Sequence, residues 1–509
     1  MNALKRFLIP ALAAVYFLLM WIPGSWGRGG YFIDEFYYIA CTDHMAFGYV
    51  DHPPLSIAIL WVVRSLFGDS LPVIRFLPAL AGAAAIFMAA LIARRLGAGL
   101  FGRAVAAGAA MAGSVWQVMF GMYSMNAFEI LIWEGCFLIL IEIERLNRPR
   151  LWLAFGALAG LGLENKHTMI LLAAGLAFGL LVTRARRHLA QRWIWLGLGL
   201  ALLLFVPNLI WQAVHGWPSL EFYHNAEVLK NVPTPPLQVV LQQVLFMNPG
   251  ALPIWLAGLV FLLWHREGRP YRHLGWLFLI LFVLMVAGQK SRPDRITAAY
   301  AVLFAAGGAL FGLLAERRPR RWLKAALPAL LVIGGAVTLP LTVLFLSPQA
   351  TADYGARLGI VPQIEQGEEK VSALPQWLAD RFGWEKLAED VEKAAQHLRP
   401  EERAKAIILV PSYGQAGSIS LLGRGRGLPP VYACQNTYFH WGPPPDPVEA
   451  AIIVGFREET ARALFAEVTQ VGLHDCDWCM PWRDNDPIWL CRGPKLRFAD
   501  VWHEFKHYE

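Results

Sequence analysis

Long apolar runs repeat along the first 346 residues, and short polar segments separate them. A helix of roughly 20 apolar residues crosses the ~30 Å hydrocarbon core of a bilayer, so each run is a candidate span. The first run follows Lys5 and Arg6, and no A-x-A-like cleavage site comes after it, so we expect it to be retained. The pattern predicts a polytopic α-helical membrane protein with about 11–13 transmembrane helices. Eleven runs qualify: residues 7–24, 72–93, 104–122, 125–143, 151–163, 167–183, 193–211, 251–264, 273–289, 297–314 and 325–346.

The pattern changes after the last run, where apolar and charged positions become mixed. The stretch "WLADRFGWEKLAEDVEKAAQHL" has the period of an amphipathic helix, whereas "AKAIILV" and "EAAIIVGF" are short apolar runs typical of buried strands. This alternation predicts a small soluble α/β domain. We therefore divide the chain into a transmembrane domain, residues 1–349, with a polar loop at 25–71, and a C-terminal domain, residues 350–509.

Composition supports the membrane class, and charge indicates the orientation. Hydrophobic residues make up 56% of the chain, charged residues 16%, and the mean hydropathy is +0.42. Cytoplasmic loops concentrate Lys and Arg. With the N-terminus inside, the inner segments hold twenty Lys and Arg, and the outer segments of the transmembrane domain hold eight, one of which is Arg75. The loop 25–71 and the C-terminal domain are then exoplasmic, and because topology accounts for the basic pI, no nucleic-acid partner is expected.

The four cysteines of the C-terminal domain have two interpretations. Cys476 and Cys479 have the C-x-x-C spacing of zinc ligands, with His474 as a further ligand. An even number of cysteines in an oxidising compartment instead favours one or two structural disulfides, which would also use Cys434 and Cys491. We expect disulfides.

The stretch "YFIDEFYYIACTDHMAFGYVDHPPL", residues 31–55, brings acids and aromatic rings to the outer membrane interface. Asp34 and Glu35 follow the first span directly. A carboxylate in that position can meet a polar acceptor from water and a lipid-borne donor from the bilayer, as a general base must. Solvated loop acids are the simpler alternative. The side chains expected to contact sugar or lipid are Tyr37, Tyr38, His52 and Trp211.

A group of cations breaks the inside-positive pattern, because it lies in short outer loops. Cations near the membrane usually have a functional partner, and a phosphate or diphosphate held from two loops is the natural one. Lipid headgroups, or salt bridges to Glu164 or Asp294, are the alternatives. The predicted phosphate-binding residues are Lys166, His167, Lys290, Arg292 and Arg295.

Glu129 lies about one helical turn inside the fourth span, in "SMNAFEILIWE". It can orient an acceptor, share a divalent cation with Asp34, or pair with Lys166. Glu134 lies deeper, where structural pairing is the favoured interpretation.

An ordered series of motifs resembles the GT-C glycosyltransferases, most closely the bacterial members of family 39, which includes protein O-mannosyltransferases and the lipid A aminoarabinose transferase. The series covers most of the chain. It consists of the Asp34-Glu35 pair, "GYVDHPPL", "SMNAFE", "GLGLENKH", "PNLIWQ", "ADRFGW", "YGQAGS" and "CQNTYFHWGP".

The resemblance implies an inverting transfer of one sugar from a polyprenyl-phosphate donor to an exoplasmic acceptor in the bacterial inner membrane. Asp34 matches the family's catalytic acid, and with Glu35 beside it we predict these two acids as the catalytic residues. Asn126 occupies the place where many relatives carry an acid, so Asn126 or Glu129 is the candidate for an acceptor contact or second carboxylate. A divalent cation near Asp34 and Glu129 stays open, and no dedicated metal site is predicted.

Three other functions fit parts of the pattern. A transporter or flippase of lipid-linked sugars would also carry intramembrane charges, although the halves of this chain show no repeat. A non-catalytic scaffold would keep the spans without needing Asp34 and the outer cations together. En bloc transfer of an oligosaccharide from a diphosphate lipid is an enzymatic alternative.

Overall fold

Helices dominate the first 350 residues of the computed structural model, which describes residues 2–26, 28–231, 233–288, 293–317, 321–360 and 372–509. Within that part of the chain, the α-helices before the C-terminal domain are α1 Asn2–Trp26, α2 Ile33–Asp43, α3 Leu55–Phe67, α4 Leu71–Arg95, α5 Leu100–Ala112, α6 Ser114–Phe120, α7 Met125–Leu146, α8 Leu151–Asn165, α9 Met169–Leu181, α10 Arg192–Val214, α11 Pro218–Asn225, α12 Pro236–Phe246, α13 Leu252–Leu263, α14 Arg272–Ala287, α15 Tyr300–Arg317 and α16 Arg321–Thr342.

Every predicted span coincides with a helix, although not all are long single helices. In the described residues, six helices are long and apolar enough to cross a bilayer, and up to nine spans result if each of three bent pairs counts as one. The prediction of one continuous span over 104–122 is wrong. The helix ends at Ala112, breaks at Gly113, and resumes as the short α6, which meets α7 at a bend of 118°. Gln117 Nε2 donates to the Met111 carbonyl beside this break, at 3.0 Å.

The ends of the helices make two sets of contacts, which we describe as two faces. On one face, which we call the Asp34 face, α10 and α11 contact the C-terminal domain: the rings of Trp211 and His440 lie 6.0 Å apart. On the other face the basic loops bond to the end of α7, through Arg95 to Glu142 at 2.8 Å and Arg187 to Glu144 at 2.6 Å.

The C-terminal domain is a five-stranded sheet with helices, as its pattern predicts. The strands are β1 Ala406–Leu409, β2 Val431–Tyr432, β3 Ala450–Val454, β4 Phe465–His474 and β5 Asp486–Pro494, and the helices are α17 Pro348–Arg357, α18 Gln376–Ala379, α19 Trp384–Ala395, α20 Tyr413–Leu422, α21 Glu458–Leu464 and α22 Phe498–Val501. The strand order is β2-β1-β3-β5-β4, with β1 parallel to β2 and β3, and β5 antiparallel to β3 and β4. The predicted apolar strands are β1 and β3, which are fully buried.

The cysteines do not form the expected disulfides. All six are free thiols, and Cys479 Sγ instead lies 3.3 Å from the Cys476 carbonyl oxygen. Cys491 is buried in the apolar cluster on one side of the sheet. The described residues also contain no group of three or more His, Cys, Asp or Glu side chains arranged for a metal ion, so the zinc interpretation does not fit either.

The C-terminal domain packs directly on the short helix α2. The Asp380 carbonyl accepts from Ile33 N at 3.1 Å, and the Arg381 carbonyl accepts from Gly30 N at 3.2 Å. Gly417 of α20 allows close packing on α2, because a Cβ there would lie 2.8 Å from Phe36 Cβ. One apolar cluster contains side chains of both α2 and the sheet. The polar loop after the first span and the distant tail therefore share a core.

Candidate active site

Asp34 lies in the first turn of α2, where a helix N-terminus favours a negative charge. Its partly buried carboxylate accepts a hydrogen bond from Tyr413, with 2.9 Å between Oη and Oδ1. Tyr413 is the first residue of α20, and the preceding Ser412 caps that helix. The acid expected to act as the base is thus contacted by the C-terminal domain.

Glu35 is fully engaged in the protein interior. Arg75 Nε and Nη2 donate to its two oxygens at 2.8 and 2.6 Å, and the backbone N–H groups of Phe32 and Tyr123 donate at 2.8 Å each. Burial alone would raise the pKa of Glu35, but the Arg75 charge and its hydrogen bonds lower it below the ordinary value. This geometry gives Glu35 the surroundings of a structural ion pair.

A second acid, Asp51, approaches the same region from the loop after α2. Tyr37 Oη donates to Asp51 Oδ1 at 2.8 Å and lies 2.5 Å from Thr437 Oγ1 of the C-terminal domain. Asp34 and Asp51 both act electrostatically on Tyr38 and Tyr413. The two acids therefore border one aromatic cluster, which consists of Tyr37, Tyr38 and Tyr413.

His52 is enclosed by that cluster. Its ring stacks on Tyr38 at 4.7 Å and lies 4.8 Å from Tyr49. Nδ1 is 3.1 Å from the Pro53 carbonyl, which assigns the proton to this nitrogen. Nε2 is buried without a hydrogen bond in the described part of the chain, 4.0 Å from Asp51 Oδ1.

The loop that carries Asp51 and His52 is fixed by α10, through the motif "PNLIWQ". Asn208 Nδ2 donates to the Phe47 carbonyl at 3.1 Å, and Gln212 Nε2 to the Tyr49 carbonyl at 3.3 Å. Gly48 allows the approach, because a Cβ there would lie 2.6 Å from the Trp211 ring. Trp211 also stacks on His215, with 4.2 Å between the ring centroids. The predicted sugar contact would therefore use an indole ring that already stacks on a histidine.

Lys166 pairs with Glu129, the alternative that the sequence left open. Lys166 Nζ lies 2.7 Å from Glu129 Oε2 and donates to Asn126 Oδ1 at 2.6 Å, while Thr168 donates to the other Glu129 oxygen. The motifs "SMNAFE" and "GLGLENKH" thus meet. Because both Glu129 oxygens are bonded, this arrangement does not fit a divalent cation shared with Asp34.

His167 contacts Tyr223 of α11, and Arg295 acts on the same tyrosine electrostatically. His167 Nδ1 lies 2.9 Å from Tyr223 Oη, and its Nε2 is 3.4 Å from Asn208 Oδ1. Burial lowers the pKa of His167 to about 4, against the opposing effect of Asn208, so the ring is neutral near pH 7. Arg295, Asp51 and Glu129 all act electrostatically on Tyr223. Charged groups from three segments therefore lie within electrostatic range of this hydroxyl.

The structure brings most predicted site residues to the Asp34 face, with two qualifications. Lys290 and Arg292 lie outside the described residues. Glu35 accepts hydrogen bonds from Arg75 and from two backbone N–H groups, and not from the aromatic cluster. The contributors that sequence reasoning did not select are Tyr413, Asp51, Thr437 and Tyr223. Asp51, Tyr413 and Thr437 lie within the motifs "GYVDHPPL", "YGQAGS" and "CQNTYFHWGP", which carried the family resemblance without suggesting a role for these side chains.

Known structures and families agree with this fold. ArnT from Cupriavidus metallidurans superposes in its apo state with a TM-score of 0.62 at 16% identity, over 95% of this chain and 97% of that one. Its undecaprenyl phosphate complex gives 0.61 at 15% identity, with the same coverage. The apo oligosaccharyltransferase of Archaeoglobus fulgidus gives 0.50 at 12% identity, over 84% of this chain and 65% of that one.

Residues 51–211 match the family described as dolichyl-phosphate-mannose-protein mannosyltransferase. No curated protein sequence matches the chain. The chain has the fold of the GT-C membrane glycosyltransferases, and its matching segment includes Asp51, His52, Glu129 and Lys166.

Proposed function

We propose that this protein is an inverting glycosyltransferase that moves a single sugar from a polyprenyl-phosphate donor to an acceptor at the Asp34 face. The observation that carries the proposal is the meeting of acids and cations there. Asp34 and Asp51 border the aromatic cluster, while Arg295 and Glu129 act electrostatically on Tyr223, and Lys166 pairs with Glu129. A lipid phosphate needs cations near it, and a polar acceptor needs an acid near it, so the transfer needs both kinds of group in one site.

The donor would enter with its phosphate toward Lys166 and Arg295. An ammonium and a guanidinium both stabilise phosphate oxygens, and the guanidinium can do so with two parallel bonds. Neutral His167 would contribute a hydrogen bond and no charge. The ArnT complex with undecaprenyl phosphate supports a lipid-phosphate ligand for this fold.

The reaction then follows from the polarity of the glycosyl phosphate bond. Asp34 accepts the proton of the acceptor hydroxyl, whose oxygen attacks the anomeric carbon on the face opposite the phosphate. The bond from carbon to phosphate oxygen breaks, and the configuration inverts. The departing phosphate needs no strong acid, since Lys166 and Arg295 stabilise its charge.

The basic asymmetry supports an exoplasmic site in a bacterial inner membrane, with the C-terminal domain in the periplasm. The partners are then the polyprenyl-phosphate sugar, the bilayer and a periplasmic lipid, glycan or protein. Single cysteines introduced at exposed positions of the C-terminal domain should react with an impermeant thiol reagent in intact spheroplasts. Labelling only after the inner membrane is permeabilised would reverse the orientation.

The test of the function is the variant Asp34→Asn, which keeps the size of the side chain and an oxygen for the Tyr413 bond. Turnover with a polyprenyl-phosphate sugar should fall by roughly two to four orders of magnitude, as general-base loss predicts. Donor binding should persist. Asp43→Asn is the matched control, since Asp43 ends the same helix and its side chain is 53% exposed; its turnover should stay near that of the unmodified protein.

Other outcomes separate the alternatives. Near-normal transfer by a folded Asp34→Asn variant would remove Asp34 from the chemistry. Transfer of a whole oligosaccharide from a diphosphate lipid would indicate en bloc transfer. Absence of binding and transfer across several polyprenyl-phosphate sugars would favour a scaffold or a transporter.

A further inference from the structure

Tyr413 reaches the proposed base from a position 379 residues further along the chain. It belongs to the C-terminal domain, at the point where the chain leaves β1 and begins α20. Its ring lies 4.7 Å from the Tyr37 ring, and Tyr413 N donates to Gln435 Oε1 at 3.0 Å. Both ends of the residue are held, so the hydroxyl has a defined direction.

The hydroxyl can act only as a donor to Asp34 while it keeps its proton. Burial, followed by the negative charges of Asp34 and Asp51, raises the pKa of Tyr413 well above its ordinary value. Tyr413 therefore remains protonated over the range in which a carboxylate base would operate.

We infer that Tyr413 is a positioning residue for transfer: its hydroxyl orients the Asp34 carboxylate toward the acceptor and holds it ionised. This inference rests on the proposed function of Asp34. It also makes the C-terminal domain a contributor to the active site, because Thr437 of the same domain contacts Tyr37, which in turn bonds Asp51. Hydroxyl groups of the C-terminal domain thus hold both acids: Tyr413 bonds Asp34 directly, and Thr437 contacts Tyr37, which bonds Asp51.

The expected sign follows from the charges around Asp34. Among the residues that the structure describes, the titratable groups near Asp34 and Tyr413 include Glu35 and Tyr38 on α2, Asp51 on the following loop and Asp380 of the C-terminal domain, with Arg75 and Arg381 around Glu35. A hydrogen bond to the ionised form of an acid lowers its pKa. Removing the Tyr413 hydroxyl should therefore raise the pH at which Asp34 becomes an active base.

The experiment compares Tyr413→Phe with Tyr438→Phe in the full-length protein. Tyr438 is a matched control: it lies in the same domain, its ring is 6.2 Å from that of Tyr37, and its buried hydroxyl has no hydrogen-bond partner in the described residues. We would measure kcat and the acceptor KM from about pH 5 to pH 9 with a polyprenyl-phosphate sugar. Thermal unfolding of each variant would confirm that it is folded.

In Tyr413→Phe the acidic limb of the kcat profile should move upward by about one pH unit, the effect of losing a hydrogen bond to a charged group. At the low end of the range kcat should fall about tenfold, whereas Tyr438→Phe should follow the unmodified protein. A folded Tyr413→Phe variant with an unchanged acidic limb would overturn the inference while Asp34→Asn still abolished transfer. Absence of transfer by the unmodified protein would instead overturn the proposed function.

Discussion

Glu35 and Asp34 are adjacent in sequence, but we expect different consequences from their loss. Loss of Asp34 should reduce transfer, whereas loss of Glu35 should reduce the stability of the fold. The change Glu35→Gln keeps the shape of the side chain but removes its charge. It also turns one acceptor oxygen into an amide donor. Since both Glu35 oxygens receive two hydrogen bonds, the new NH2 group must face at least one donor from Arg75, Phe32 or Tyr123.

The size of the effect follows from burial. The Glu35 and Arg75 side chains are 0% and 1% exposed, so the guanidinium would be left buried without its anion. Removing one partner of a buried ion pair costs about 3–5 kcal/mol, a large part of the roughly 5–15 kcal/mol that stabilises a typical folded domain. Because the pKa of Glu35 is lowered, its stabilising charge is lost only below the ordinary titration range, and the penalty should be the same at pH 5 and pH 8.

The assay is denaturant or thermal unfolding in detergent, paired with transfer activity. Glu458→Gln is the control, because Glu458 also bonds a guanidinium, that of Arg462 at 2.7 Å, but both side chains are about half exposed. That change should alter the free energy of unfolding by less than about 1 kcal/mol. If Glu35→Gln unfolds like the unmodified protein yet loses transfer, Glu35 takes part in the chemistry and the structural assignment is wrong.

Two further predictions concern charges elsewhere. Lys166→Met should weaken binding of a polyprenyl-phosphate sugar by about 10- to 150-fold. It should also lower the thermal midpoint, because Glu129 is left unpaired. Adding Glu129→Gln should restore the midpoint but not the affinity, and recovered affinity would mean that Lys166 acts only through Glu129. Burial raises the pKa of Asp486 to about 6 despite the Arg483 charge, so the contribution of this group to stability should fall as pH rises from about 4 to about 6. Asp486→Asn should then raise the thermal midpoint at pH 7.5 but not at pH 4, and an equal change at both values would contradict this.

The sequence predicted the elements well, because their signals are local. Apolar runs located the transmembrane helices, and the switch to mixed periodicity located the sheet domain. The break at Gly113 was missed, since apolar residues continue on both sides of it. Length and hydropathy do not detect a bend that preserves composition.

Contacts between distant segments were the part that the sequence did not predict. Arg75 was counted only as an outer cation, and its pairing with Glu35, 40 residues away, leaves no periodic signal. Tyr413 and Thr437 lie in motifs that identified the fold, yet no spacing rule connects them to Asp34 or Tyr37. The Lys166–Glu129 pair was anticipated as an alternative, because both residues fall near the same end of adjacent spans.

The backbone bonds of Gly30 and Ile33 to the segment at 380–381 have a consequence for how this protein could be recombined with its relatives. A chimera joined at residue 350 would separate α2 from the surface that shapes it, since Phe36, Trp384 and the sheet share one apolar cluster. The exchangeable module is therefore discontinuous: the segment from Gly30 to Asp51 must travel with the C-terminal domain. A chimera that exchanges acceptor preference through that domain would therefore also exchange Asp34, the proposed base.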